Sequence, residues 1–241
     1  MAKIVVLANN SSDAISGNIL DVLETLDGVK GYKGDVTITG GVTLDELTKL
    51  NKATTGAITL PNVDFVGTST EILTAIAGDI INSGNILITN NNYTLAQLNA
   101  ISKAGAIELS NASVALSGSA TELEVLFDIA NYAGTITVTG NYNLAQLKTI
   151  DTYTTGTIKV ANTSVALSGN ADELAAMLPT LAGYKGAVTV NDAITLAELK
   201  AINNATTGAI TLVNQTTALS GSAADILAAF NEDNFKNNFC G

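Results

Sequence analysis

The chain has no arginine, no histidine and no tryptophan, and only one cysteine and two prolines in 241 residues. Each absence excludes a class of function. Without histidine there is no imidazole to activate a serine or cysteine nucleophile. Without Cys/His clusters there is no zinc site. Without arginine there is no bidentate reader of guanine or phosphate. The 11 lysines are outnumbered by 22 acids, for a formal net charge of −11. A nucleic-acid backbone and an anionic membrane surface both require the opposite balance, so neither is expected as a partner. Cys240 stands alone, which rules out an internal disulfide and leaves a free thiol or an intermolecular crosslink. At the N-terminus only Ile4–Ala8 is apolar, shorter than the roughly 7–15 residues of a signal-peptide core. No run approaches the ~18 apolar residues of a membrane span.

Repetition is what the sequence does have. One stretch is written four times: TLDELTKLNKATTGAITL from Thr43, TLAQLNAISKAGAIEL from Thr94, NLAQLKTIDTYTTGTIKV from Asn143 and TLAELKAINNATTGAITL from Thr195. A second unit alternates with it, seen as SVALSGSATELEVLF in the middle and ALSGSAADILAAF near the end. Self-similarity of this length overrides a domain count based on size, because repeat arrays grow by addition.

The first unit, A, reads as a strand followed by a helix. Its strands are Val36–Thr39, Ile86–Thr89, Ile136–Thr139 and Val188–Asn191, with alternating apolar residues. Each helix opens on a capping box: Thr43 with Glu46, Thr94 with Gln97, Asn143 with Gln146, Thr195 with Glu198. Leucines and isoleucines then recur at helical spacing. Gly56, Gly105, Gly156 and Gly208 end the helices, and the left-handed conformation is expected there. The second unit, B, has strands at Val5–Leu7, Ile58–Leu60, Ile107–Leu109, Ile158–Val160 and Ile210–Leu212. A loop follows, then a glycine, a cap and an acid in the first turn: Asn18/Asp21, Thr68/Glu71, Ser119/Glu122, Asn170/Glu173 and Ser222/Asp225. The expected apolar stripes are Val22/Leu26, Ile72/Ile76, Leu123/Phe127, Leu174/Leu178 and Ile226/Phe230.

Helices this short are marginal alone and must lean on neighbours. The expected fold is therefore α/β: a right-handed solenoid of about nine strand–helix coils with a parallel β-sheet. It spans residues 1–230 as one domain, with 231–241 as a C-terminal tail. The alternation resembles a leucine-rich repeat, but only one residue separates Leu60 from its asparagine, Asn62, so a related solenoid is inferred and not a member. LAQLKTI, ATTGAITL and SVALSGSA resemble repeats of very large surface proteins of marine cyanobacteria and of structural proteins of their phages. That resemblance covers about residues 2–230 and implies an extracellular or virion structural role. It brings no catalytic residues.

An asparagine recurs two residues past each B strand: Asn9, Asn62, Asn111, Asn162 and Asn214. A structural amide ladder at strand spacing is the expectation. The first-turn carboxylates are read as caps and not as an acid–base pair. The outward threonines are read as strand formers. No cofactor or metal is called for. The leading function is a non-enzymatic structural protein that builds or decorates a virion or extracellular surface assembly. The alternative is an adhesion module binding a glycan or receptor on the sheet face. Self-association or attachment to a larger assembly is expected through Phe235, Phe239 and Cys240 in the departing tail.

Overall fold

The computed structural model describes residues 7–214 and 218–230. They form an α/β protein of short parallel sheets and alternating strand–helix units. Packing divides it into two compact units.

The first unit comprises the residues up to Val114 with Asp128–Ala130. Its elements are β1 (Ile15–Gly17), α1 (Ile19–Leu26), β2 (Val36–Ile38), α2 (Leu44–Ala53), β3 (Ile58–Thr59), β4 (Phe65–Gly67), α3 (Ser69–Ala75), β5 (Ile80–Ile81), β6 (Asn85–Ile88), α4 (Leu95–Ile101) and β7 (Ala106–Leu109). Two parallel sheets result, ordered β1-β2-β3-β5 and β4-β6-β7. The second unit is Ala115–Phe127 with the residues from Asn131 on. It contains β8 (Leu116–Ser119), β9 (Ile136–Thr139), α5 (Leu144–Tyr153), β10 (Ile158–Val160), β11 (Leu167–Gly169), α6 (Ala171–Met177), β12 (Val188–Val190), α7 (Leu196–Ala205), β13 (Ile210–Leu212) and α8 (Ala223–Ala229). Its sheets are ordered β8-β9-β10 and β11-β12-β13.

Strands form where the period is two. In β2, β9 and β12 the first and third residues (Val36 and Ile38, Ile136 and Val138, Val188 and Val190) are buried, and the threonine between them points out. Helices form where the period is 3.6. Leu47 and Leu50, Leu98 and Ile101, Leu147 and Ile150, and Leu199 and Ile202 make the inner stripes. Thr43, Thr68, Thr94, Asn143 and Thr195 each complete a reciprocal capping box. The residues just before four of these caps (Val42, Tyr93, Tyr142 and Ile194) are buried, as are Leu47, Leu98, Leu147 and Leu199 four positions past the cap. That is the spacing of a hydrophobic staple.

Several expectations are corrected. The stretches read as loops before the B-unit caps are strands: β1, β4, β8 and β11. Each is short and glycine-bearing, so its pattern is weak alone. It becomes a strand because the next unit's strand pairs with it, as in Leu116↔Ile136 and Leu167↔Val188. Gly56, Gly105, Gly156 and Gly208 are not left-handed; the positive-φ glycines among the described residues are Gly28, Gly31, Gly140 and Gly183. Glu122–Asp128 is a 3-10 segment and not an α-helix. Its side chains recur every three residues, so Leu123 pairs with Leu126 inside and Phe127 is left 70% exposed. Asn170 makes no side-chain cap bond; its partner Glu173 is engaged by Lys148 instead. The strand expected at Val5–Leu7 lies largely outside the described residues.

Candidate functional site

The most elaborate arrangement among the described residues is a buried joint repeated between successive strand–helix repeats, within each compact unit. Thr54 ends α2 and is 5% exposed. Its hydroxyl donates to the Gly34 carbonyl at 2.9 Å and accepts from the Gly56 N–H at 2.9 Å. The Thr55 N–H donates to the Tyr32 carbonyl at 3.1 Å. The same pattern recurs at Thr154, between Gly134 and Gly156, and at Thr206, between Gly186 and Gly208.

Glycine is needed on both sides for lack of space, not for its dihedral freedom. A Cβ on Gly56 would lie 2.3 Å from the Gly34 carbonyl oxygen, and one on Gly208 would lie 2.2 Å from that of Gly186. Gly34 itself is roofed by Tyr32, whose hydroxyl donates to the Asp13 carbonyl. Tyr184 does the same for Gly186, donating to the Val165 carbonyl at 2.7 Å. In the copy without tyrosine, Asn82 takes over: its amide accepts from the Val63 N–H at 2.8 Å and donates to the Val63 carbonyl at 2.9 Å. Burial raises the hydroxyl pKa of Tyr32, Tyr93, Tyr142 and Tyr184 above the ordinary tyrosine value. The sequence signals are Tyr-x-Gly and Thr-Thr-Gly, both visible in the chain. What they meant was hidden, because the Thr and Gly partners come from different strand–helix repeats.

The asparagine column is not a ladder. The strands leading into Asn62, Asn111, Asn162 and Asn214 are β3, β7, β10 and β13, which lie in four different sheets. No two of these strands are therefore hydrogen-bonded neighbours. Asn9 accepts from the Lys30 N–H at 2.9 Å, and Asn62, at φ 51°, accepts from the Ser83 hydroxyl at 3.1 Å. Asn111 and Asn162 fold their side-chain oxygens onto the N–H groups of Ser113 and Ser164, at 3.0 and 3.1 Å. These are Asx turns, which stabilise the bend between two strands locally. Asn214 is half-exposed beyond β13. Phe235, Phe239 and Cys240 lie outside the described residues.

The first-turn carboxylates act mainly on their own helices. Glu46, Glu71 and Glu122 accept from the backbone N–H and hydroxyl of their cap residues, and this holds each pKa below the usual carboxylate range. The Ser222 hydroxyl, chiefly, does the same for Asp225.

The outward faces of the sheets carry aligned side chains. Ser16, Thr37 and Thr59 are in register across β1-β2-β3, and Ser168, Thr189 and Thr211 across β11-β12-β13. Ser117 and Thr137 continue to Lys159. The remaining row is different: Val66, Leu87 and Glu108. Hydroxyls spaced at about 4.8 Å present a regular line of donors and acceptors. Ser168 is partly occupied, donating to Asn191 at 3.2 Å.

Among the described residues no group of three or more metal-ligating side chains occurs, and no helix is long and apolar enough to cross a membrane. Compared with protein-family models, with curated proteins and with solved structures, the chain shows no match.

Proposed function

We propose that the chain is a non-enzymatic structural repeat protein that builds or decorates a surface assembly, on a virion or on the outside of a cell. The carrying observation is the repeated joint: Thr54 with Gly34, Thr154 with Gly134 and Thr206 with Gly186. The buried threonines, the tyrosines that roof two of these joints and the paired glycines all serve the fit of one unit against the next. A stack held this way is a scaffold whose length follows from repeat number. The wording of LAQLKTI, ATTGAITL and SVALSGSA supports the surface placement. In this proposal the repeats wind right-handed as one solenoid of about nine coils. Immunogold electron microscopy with an antibody against the purified chain, on intact source cells and on particles in their medium, tests the placement. Label on cell or particle surfaces supports it; label confined to the cytoplasm overturns it. Deleting residues 135–186, one A–B pair, tests the solenoid: a shorter, cooperatively folding protein is expected, and an unfolded product refutes interchangeable coils.

One observation favours a second reading, an adhesion module. The rows Ser16/Thr37/Thr59 and Ser168/Thr189/Thr211 suit an extended polyhydroxyl ligand such as a glycan, or a receptor strand. Binding on a glycan array that is lost in Thr37→Val/Thr189→Val supports it. Absence of binding by folded protein counts against it.

A further inference from the structure

The tripeptide Asn-x-Ser/Thr is the acceptor for N-linked glycans. It occurs at Asn9, Asn10, Asn92, Asn111, Asn162, Asn204 and Asn214. Transfer needs two free groups: the asparagine amide nitrogen, which takes the sugar, and the hydroxyl two residues on, which the transferase reads. The fold sorts the copies by what it leaves free. At Asn204 the hydroxyl is that of Thr206, which is 3% exposed and bound to the Gly186 carbonyl and the Gly208 N–H. At Asn92 the middle residue, Tyr93, is 2% exposed, and the Thr94 hydroxyl accepts from the Gln97 N–H as a helix cap. The Ser11 hydroxyl of the Asn9 copy donates to Asp13 at 3.2 Å. Asn10 has a left-handed backbone, φ 61°, with its side-chain oxygen against Gly31. The third residue of the Asn214 copy, Thr216, lies outside the described residues.

Asn111 and Asn162 differ from these. They hold the same place in two repeats, just past β7 and β10, and Ser113 and Ser164 are exposed. Each asparagine oxygen is occupied by the N–H of its own serine, at 3.0 and 3.1 Å. The amide nitrogens and the serine hydroxyls make no hydrogen bond among the described residues. Each turn is also anchored from the core side. Buried Tyr93 donates its hydroxyl to the Asn111 carbonyl, and buried Tyr142 to the Asn162 carbonyl at 2.7 Å. The bends are thus fixed while both reacting groups stay open.

We propose that Asn111 and Asn162 are N-glycosylation sites, an inference that rests on the surface placement proposed above. The donor is a lipid pyrophosphate-linked oligosaccharide and the catalyst an oligosaccharyltransferase. The asparagine Nδ2 forms the new bond to the anomeric carbon of the sugar and loses one proton, and the lipid pyrophosphate leaves with the electrons of the broken C–O bond.

Peptide mapping by mass spectrometry, on the full chain isolated from its source, is the test. Glycan on Asn111 and Asn162, with Asn92 and Asn204 bare, is expected. Ser164→Ala, made in the same source, keeps the N–H that closes the turn and removes only the hydroxyl. It should lose the glycan at Asn162 and keep that at Asn111, with an unchanged circular dichroism spectrum; Ser164→Thr should keep both. Bare Asn111 and Asn162 overturn the proposal, as does equal occupancy of Asn92 and Asn204. Surface immunogold label together with bare asparagines overturns this proposal alone and leaves the placement standing.

Discussion

Replacing Thr54 by valine keeps the shape of a buried side chain and removes one atom's chemistry. The Thr54 hydroxyl is the donor to the Gly34 carbonyl and the acceptor for the Gly56 N–H, both at 2.9 Å. Valine leaves a carbonyl and an N–H facing a methyl group in a site that is 5% exposed. Each buried polar group stripped of its partner costs about 1–3 kcal/mol, so with two such groups Thr54→Val should lose roughly 2–6 kcal/mol. Thr54→Ser keeps both hydrogen bonds and loses one methyl, a cost of about 1 kcal/mol. Denaturant unfolding followed by circular dichroism gives the ranking: parent, then serine, then valine, at an unchanged slope. For a chain of this size the valine variant should melt lower by roughly 2–4 °C per kcal/mol. Hydrogen exchange adds a local check, since the Gly56 amide should speed up in Thr54→Val and not in Thr54→Ser. If valine is as stable as serine, the hydroxyl is not holding the joint and the scaffold argument loses its main support.

Gly56→Ala should cost about 2–4 kcal/mol through overpacking, because the new Cβ would meet the Gly34 carbonyl oxygen at 2.3 Å. Gly41→Ala, where a Cβ meets nothing within 4 Å, should be neutral or slightly stabilising in the same melt. Asn111→Ala removes a local turn bond on a half-exposed residue and not a ladder, so a loss of about 0.5–1.5 kcal/mol is expected by denaturant titration. The pKa values of Glu46, Glu71, Glu122 and Asp225 are lowered by their caps, so their contribution is complete above the ordinary carboxylate range. It fades as pH falls through the depressed values: denaturation midpoints should drop from pH 5 towards pH 3, and Glu46→Gln should flatten that dependence. The tyrosine pKa values are raised, so the opposite limb follows: stability present below pH 10 is lost as pH rises past it, read by tyrosinate absorbance appearing together with unfolding.

Patterns local in sequence were legible. The A-unit strands, the capping boxes and the leucine stripes all depend on residues within about ten positions of one another. What depended on partners from another unit was not. Leu116 and Leu167 read as loop residues because a single apolar position between serines and glycines carries little period; parallel pairing with Ile136 and Val188 makes them strand. Gly56 looked like a helix-stop glycine, and only the carbonyl of Gly34 pressing on its α-carbon shows why it is glycine. The asparagine column was conspicuous in sequence, yet its members do different things: Asn111 and Asn162 close local turns, while Asn9 and Asn62 accept from Lys30 and Ser83 of the following repeat. Tyr-x-Gly was visible as a motif at the helix ends, but that Tyr32 and Tyr184 roof the joint glycines was not.

The joint also bears on heredity. From Gly34 to Gly84 and from Gly84 to Gly134 is 50 residues each, and from Gly134 to Gly186 is 52. The carbonyl of each sits where Gly56, Gly105, Gly156 or Gly208 would carry its first side-chain atom. Inserting a few residues within a unit would drive a bulkier residue into that carbonyl, whereas gaining or losing a whole repeat restores every glycine to its seat. In-frame recombination between the near-identical ATTGAITL segments does the latter in one event. Length is thus expected to tolerate change by whole repeats, while a single-residue insertion at a joint should destabilise the fold.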